Sequence, residues 1–344
     1  MKNLLLIFSL FIIISCKDDI VVITPVYNHT HLLITTNGFP SMKVPSNNPI
    51  TVQGVQLGRK LFYDPILSGD STQSCSSCHQ QKHAFSDPQK FSVGIDGFSG
   101  SRNASAIINP GWLPSAFWDG SEKSLESQAR SPVSNPIEMH EDWANAIVKL
   151  KNHSTYPADF KAAFSEGIIS KELVTMAIAQ FERTLISDQS KFDLFLDGNY
   201  DLTPLEAAGF NLFFTEKGEC FHCHGQPLFT DNEFHNNGLD AVFNDIGYQD
   251  VTGKTSDRGK FRTPTLRNVA FSAPYMHDGR FNTLEEVIDF YSDGIRTSST
   301  LDPLMAHGDN SFNWTNLEKQ QLLAFLKTLS DTSFINNPDF KSPW

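Results

Sequence analysis

Cys75-Ser76-Ser77-Cys78-His79 and Cys220-Phe221-His222-Cys223-His224 are the two stretches that decide how this chain is read. Each fits C-x-x-C-H, a pattern in which two thiols form thioethers with the vinyl groups of a haem and the adjacent imidazole becomes an axial ligand of its iron. The competing reading is a structural zinc knuckle or a redox C-x-x-C site. Zinc would require a second Cys/His pair at ligand spacing near each motif. The motifs start about 145 residues apart, close to one domain each.

Working outward, the same architecture recurs around both motifs. Gln56–Tyr63 reads as a short helix leading to the first, and a polar, Gly-rich loop from Phe85 to Asn103 follows it. Helical patterns come next at Glu141–Lys151 and Lys171–Leu185; in the latter Leu173, Ala177, Ile178, Phe181 and Leu185 share an apolar face. Asp197-Gly198-Asn199 breaks the pattern. Thr203-Pro204-Leu205-Glu206 then opens a helix with a cap, a proline at its first position and an acidic first turn, running toward the second motif. Two more helices are expected at Leu284–Asp293 and Asn316–Leu329, the latter capped by Thr315 or Asn316. Strand signal is confined to Val21–Ile23 and Leu32–Thr35. The expected fold is mostly α, with two cytochrome c-like domains over 47–198 and 199–344, each carrying one covalently attached c-type haem.

The 344 residues suffice for two packed domains. A net charge of -12 excludes a nucleic-acid partner, because nothing here would neutralise a phosphate backbone, and is compatible with docking a basic electron carrier. Four of the five cysteines belong to the motifs, so no disulfide is expected. The fifth, Cys16, ends an apolar run from Leu4 to Ile14 that is too short to span a bilayer. Ile13-Ile14-Ser15-Cys16 resembles a bacterial lipoprotein cleavage site. That resemblance implies removal of a signal peptide over 1–15, lipidation of Cys16, a tether over 16–46, and a mature protein anchored on the periplasmic side of a bacterial membrane. The alternative, an ordinary secretory signal, gives a soluble periplasmic protein.

Several further stretches carry a resemblance: Phe117-Trp118-Asp119-Gly120 with Leu125-Glu126-Ser127-Gln128-Ala129, Pro132 and Glu138-Met139; Arg262-Thr263-Pro264-Thr265-Leu266-Arg267-Asn268-Val269; and Ala273-Pro274-Tyr275-Met276-His277-Asp278-Gly279 with Thr283-Leu284-Glu285. With the haem motifs, and over nearly all of the chain from about Pro49 on, they resemble the bacterial di-haem cytochrome c peroxidases and their methylamine-utilisation (MauG-type) relatives. The resemblance implies two c-type haems held by Cys75, Cys78, Cys220 and Cys223, with His79 and His224 as proximal ligands. It makes Glu138 the acid–base residue over the N-terminal haem, Gln128 and Pro132 its neighbours in the peroxide pocket, and Trp118 the indole between the haems. It also implies a calcium ion held by Asn103 and the backbone carbonyls of Ser272 and Pro274.

Two departures from the typical peroxidase shape the expected mechanism. Where a capping histidine would close the N-terminal haem, this chain has Ile95, which cannot ligate iron; that haem is expected to be open and high-spin. His83 is the nearby substitute and reads better as a surface residue. At the C-terminal haem the position of a methionine ligand is held by Tyr291, as in MauG-type enzymes, with Met305 and Met276 as competing ligands. The expected activity is reduction of hydrogen peroxide with electrons from a small c-type cytochrome or cupredoxin, or a quinol-linked partner. The alternative is MauG-type oxidation of a partner protein or small molecule by long-range electron transfer; a tethered electron carrier would need both irons capped. Homodimers are frequent in the family. Gly253-Lys254-Thr255 is a P-loop decoy, because Tyr248 stands where the upstream glycine must be. His29, His31, His153 and His307 show no ligand spacing.

Overall fold

The computed structural model describes residues 38–164, 167–306 and 311–344. Cys16, the signal peptide, most of the tether, both expected strands, His29, His31 and His307 lie outside them. Among the described residues the fold is mostly α, and none of the helices is long and apolar enough to cross a membrane.

The helix before the first motif runs Val52–Tyr63, one turn longer than its apolar pattern suggests, because Thr51 caps it by accepting from the Gly54 N–H at 2.9 Å. It packs along Lys171–Glu182. The helix before the second motif, Pro204–Phe213, packs along Asn316–Thr328 in the same way. Both crossings depend on a glycine. A Cβ on Gly58 would sit 1.9 Å from the Ala177 carbonyl oxygen, and one on Gly209 the same distance from the Gln321 carbonyl oxygen. In each pair the facing aromatic follows one turn later, Phe181 and Phe325. The sequences at the crossings match as Gly-x-x-Leu-Phe-aromatic, Gly58 to Tyr63 and Gly209 to Phe214, so the recurrence reaches into the packing.

Two hydrophobic cores result. The first gathers Leu57, Leu61, Phe62, Phe85, Tyr156, Phe160 and Phe181, and the second Phe192, Leu212, Phe213, Phe229, Phe325 and Leu329. They do not divide at one point in the chain. Phe192, on the Lys191–Leu196 helix, packs in the second core although it precedes the Asp197-Gly198-Asn199 break. The chain after Asp331 returns to the first core through Phe334 and Phe340. That return is fastened by the Tyr63 hydroxyl donating to the Phe340 carbonyl at 2.6 Å and by Gln81 Nε2 donating to the Asn337 carbonyl at 2.9 Å. Arg267, 1% exposed, meets the Asp193 carboxylate with two bonds of 2.9 and 2.8 Å and holds that carboxyl below the usual carboxylate range. The described strands form one short pair, Phe234–His235 antiparallel to Phe261–Arg262. Arg102 reaches from the loop after the first motif to Asp245, at 2.7 and 2.9 Å, and joins the two halves.

Candidate active site

The two C-x-x-C-H stretches adopt different local turns and reach the same result. Cys75–Cys78 forms one α-helical turn and Cys220–His222 a tighter one. Past each, the imidazole turns Nδ1 onto a backbone carbonyl: His79 onto Phe85 at 2.9 Å, His224 onto Phe229 at 3.0 Å. A carbonyl only accepts, so Nδ1 carries the proton and Nε2 keeps its lone pair, as an iron ligand requires. Burial lowers the pKa of both rings, which favours the neutral form. Phe85 and Phe229 hold left-handed backbone angles, φ 58° and 54°, that phenylalanine disfavours, and their buried rings anchor them there. Sequence reasoning misses these two carbonyls, because positive φ on a non-glycine leaves no compositional mark.

None of the four motif cysteines is in a disulfide. Cys220, Cys223 and His224 face a largely apolar cavity of about 1340 Å³, mouth included. Tyr291, Met276 and Met305 line it too, so the three residues weighed as second ligand share one space with His224. Tyr291 gets there through a local irregularity. The helix expected over Leu284–Asp293 is α-helical only to Asp289, and a wider π-helical turn, Phe290–Gly294, changes its phase. The buried Tyr291 hydroxyl accepts from Asn237 Nδ2 at 3.1 Å, while burial pushes its pKa up to about 12.

A zinc reading is open for the second motif, since Cys223, Asp231 and His235 lie together. His235, however, has both ring nitrogens engaged, with Asp302 at 2.6 Å and Asp231 at 2.9 Å. The two carboxylates hold it as an imidazolium, its pKa pushed up to about 12, with no lone pair for a metal. Arg262 lines the same cavity. It is 5% exposed, its guanidinium reaches the Phe117 and Thr263 carbonyls at 3.5 and 3.3 Å, and burial lowers its pKa to about 10. Paired unbridged cysteines, a histidine with its lone pair turned inward and an apolar cavity containing a buried cation fit a covalently held, propionate-bearing haem.

At the first motif burial above all raises the pKa of the Cys75 and Cys78 thiols, and the Glu138 carboxylate adds to it at both. Burial raises the pKa of Glu138 itself; Asn135 Nδ2, donating to Oε1 at 2.6 Å, opposes that. Gln128 ends the short Leu125–Gln128 turn and Pro132 lies in the next one, Ser131–Ser134. The Pro132 carbonyl accepts from the Met139 N–H at 3.1 Å, which folds the Glu138 segment back onto that turn. Ile95 joins the segment through its N–H, 2.9 Å from the Glu138 carbonyl, and its side chain lies beside Gly69. His83 lines a separate groove with Phe271, Pro274 and Asn282.

Trp118 is tied by hydrogen bonds to the loop after the first motif and to the C-terminal half. Its Nε1 donates to the Asn103 carbonyl at 2.9 Å, and the Asn103 N–H donates to the His277 carbonyl at 2.7 Å. Its own carbonyl accepts from the Arg262 N–H at 2.8 Å. His277 and Arg262 both line the second cavity. Asn103 is buried, and its Nδ2 is held by the Gln89 and Lys90 carbonyls at 3.0 and 3.2 Å, so the amide oxygen faces the other way. The backbone bond to His277 brings it to the segment that carries Ser272 and Pro274.

A family model described as di-haem cytochrome c peroxidase matches residues 52–201. The methylamine utilization protein MauG of Methylorubrum extorquens is 37% identical over 293 residues, 84% of this chain and 81% of its own length. The cytochrome c551 peroxidase of Nitrosomonas europaea is 34% identical over 310 residues, 88% of this chain and 86% of its own. Among solved structures, a MauG-like protein associated with microbial copper homeostasis superposes with a TM-score of 0.86 at 39% identity, covering 91% of this chain and 99% of that one.

Proposed function

The chain belongs to the di-haem cytochrome c peroxidase family, and from that premise we propose that it reduces hydrogen peroxide to water at a first haem site, with electrons that a small c-type cytochrome or cupredoxin delivers through a second. Cys75 and Cys78 would hold one haem and Cys220 and Cys223 the other, each within its own cytochrome c-like domain, with His79 and His224 as axial ligands. The haems, when bound, supply the irons that bind peroxide and pass electrons.

The observation that carries this reading is the placement of Glu138, a half-buried carboxyl near the first thiol pair. As a carboxylate it takes a proton from the incoming peroxide, and as the acid it returns that proton to the departing oxygen. Burial favours the acid form of Glu138, and the Asn135 hydrogen bond opposes that in favour of the carboxylate. Gln128 would orient the peroxide, Pro132 would close the pocket wall, and Ile95, unlike a histidine, would offer the first haem no ligand. Trp118 offers an oxidisable indole between the sites. Tyr291 is the second ligand at the C-terminal haem, and Asn103 with the Ser272 and Pro274 carbonyls holds a calcium ion that stiffens the joint between them. Export, with lipidation at Cys16 and anchoring on the periplasmic side, suits covalent haem attachment.

Tyr291 favours a second reading, oxidation of a partner protein or small molecule by long-range electron transfer, because an anionic oxygen ligand stabilises oxidised iron. Turnover separates the two. Peroxide followed by reduced cytochrome c should give steady oxidation of the donor that is lost in Glu138→Gln. Peroxide consumption with no small redox donor accepted would overturn the peroxidase reading.

A further inference from the structure

Glu182 is a buried acid that the mechanism above leaves unused. It is 4% exposed, and among the described residues its Oε2 has no hydrogen-bond partner. It is also the last residue of the Lys171–Glu182 helix, where the backbone carbonyls make a negative charge unfavourable. Its charge is felt at Cys75, the first thiol of the N-terminal motif, more strongly than that of Glu138.

The groups around it do not balance that charge. On its own helix end, Arg183 is turned to Glu126, with Nη1 and Nη2 at 2.8 and 3.1 Å from the two carboxylate oxygens. Glu126, on the Leu125–Gln128 turn, also accepts from Asn48 at 2.6 Å, so it is a satisfied anion facing Glu182. The packed Val52–Tyr63 helix sends its charged groups elsewhere: Lys60 to Asp159, Arg59 to the Lys341 and Pro338 carbonyls, and the Tyr63 hydroxyl to the Phe340 carbonyl. The motif turn presents Cys75. Two carboxyls thus share one guanidinium, and the unpartnered one lies at the first site. Burial, opposed by Arg183 and assisted by Glu126, raises its pKa to about 8.

We propose that Glu182 is the proton-exchanging group of the first site: reduction of one peroxide to two waters takes two protons from solvent and two electrons, one from each haem site, and the Glu182 carboxyl gives one proton to solvent when the electron leaves the first site and takes one back when an electron returns from the donor protein. The charge enclosed in the first core then stays constant through a redox cycle. In the closed dry environment an uncompensated charge would be costly, whereas a neutral acid with a free lone pair is poised to offset it. This inference rests on the haem assignment at Cys75 and Cys78.

The test is a potentiometric titration of the full-length holoprotein, reading the first haem optically across a pH series, in wild type, Glu182→Gln and Glu138→Gln. One proton per electron makes the wild-type reduction equilibrium constant fall about tenfold per pH unit through the titration window. Glu182→Gln should abolish that slope and Glu138→Gln should keep it. A slope that survives in Glu182→Gln, or that is lost in Glu138→Gln, overturns the proposal. If Glu182→Gln does not accumulate as folded protein, redox-difference infrared spectroscopy on wild type with ¹³C-labelled glutamate tests the same proton exchange. A protonated-carboxyl band lost on oxidation and retained in Glu138→Gln is expected, and its absence refutes the idea. Covalent haem content at each motif, measured on the same samples, separates failure of the haem assignment from failure of the role of Glu182.

Discussion

Replacing Asn135 by alanine removes the hydrogen bond that opposes burial at Glu138, and its consequence can be worked out with a sign. The bond is 2.6 Å long and runs to a half-buried carboxylate. Hydrogen bonds to charged groups contribute about 1.5–3 kcal/mol; Glu138 keeps some solvent access, so the lower end applies. About 1.4 kcal/mol is a tenfold change in the protonation equilibrium. Losing the bond raises the already elevated pKa further. Peroxide binding needs the carboxylate, so its rate increases with pH as Glu138 ionises, and Asn135→Ala moves that acidic limb to higher pH. At a fixed pH on the limb the rate constant should fall about tenfold, while on the alkaline plateau it should equal wild type. Stopped-flow mixing with peroxide from about pH 4 to 9 reads this directly. Asn135 also accepts from the Ile137 N–H at 3.2 Å, so a stability cost of about 1 kcal/mol accompanies the change and is measured separately. A limb that stays in place, or moves to lower pH, would refute the assignment of Glu138 as the proton acceptor.

Gly58→Ala and Gly209→Ala each force a methyl into a carbonyl 1.9 Å away; each should destabilise its own core by about 2 kcal/mol or more, visible as a lower denaturant midpoint. Arg267→Met leaves the partly buried Asp193 carboxylate without its guanidinium, with the Ser190 N–H and hydroxyl still donating to it, and should cost about 3 kcal/mol in the same assay. Tyr291→Phe removes only the oxygen that accepts from Asn237; it should shift the optical spectrum of the C-terminal haem and leave that of the N-terminal haem unchanged, and an unaltered spectrum would remove Tyr291 as a ligand.

Much of this is legible in the sequence because it depends on local chemistry. Thr203 caps its helix as the sequence predicts, and of the two candidates for the last helix the cap is Thr315 rather than Asn316; each threonine pairs with a glutamate three residues on. The two motifs announce themselves through residue type and spacing alone. The short pair Phe234–His235 and Phe261–Arg262 is not foreseeable, because two residues per strand carry no period. Counting from His277-Asp278-Gly279 locates Tyr291, but the π turn that aims it leaves no trace in a 3.6-residue pattern. The Phe85 and Phe229 carbonyls, the return of Phe334 and Phe340 to the first core, and the isolation of Glu182 are tertiary facts. Each depends on which distant segment arrives, and Glu182 in particular reads as an ordinary helix-end acid until Arg183 is seen turned toward Glu126.

The central claim is that the two haem sites differ, the first open above Glu138 and the second closed by Tyr291. Electron paramagnetic resonance and optical spectra of the ferric holoprotein test it most directly. The account predicts one high-spin, five-coordinate haem and one low-spin, six-coordinate haem per chain. Two low-spin, six-coordinate signals would contradict it.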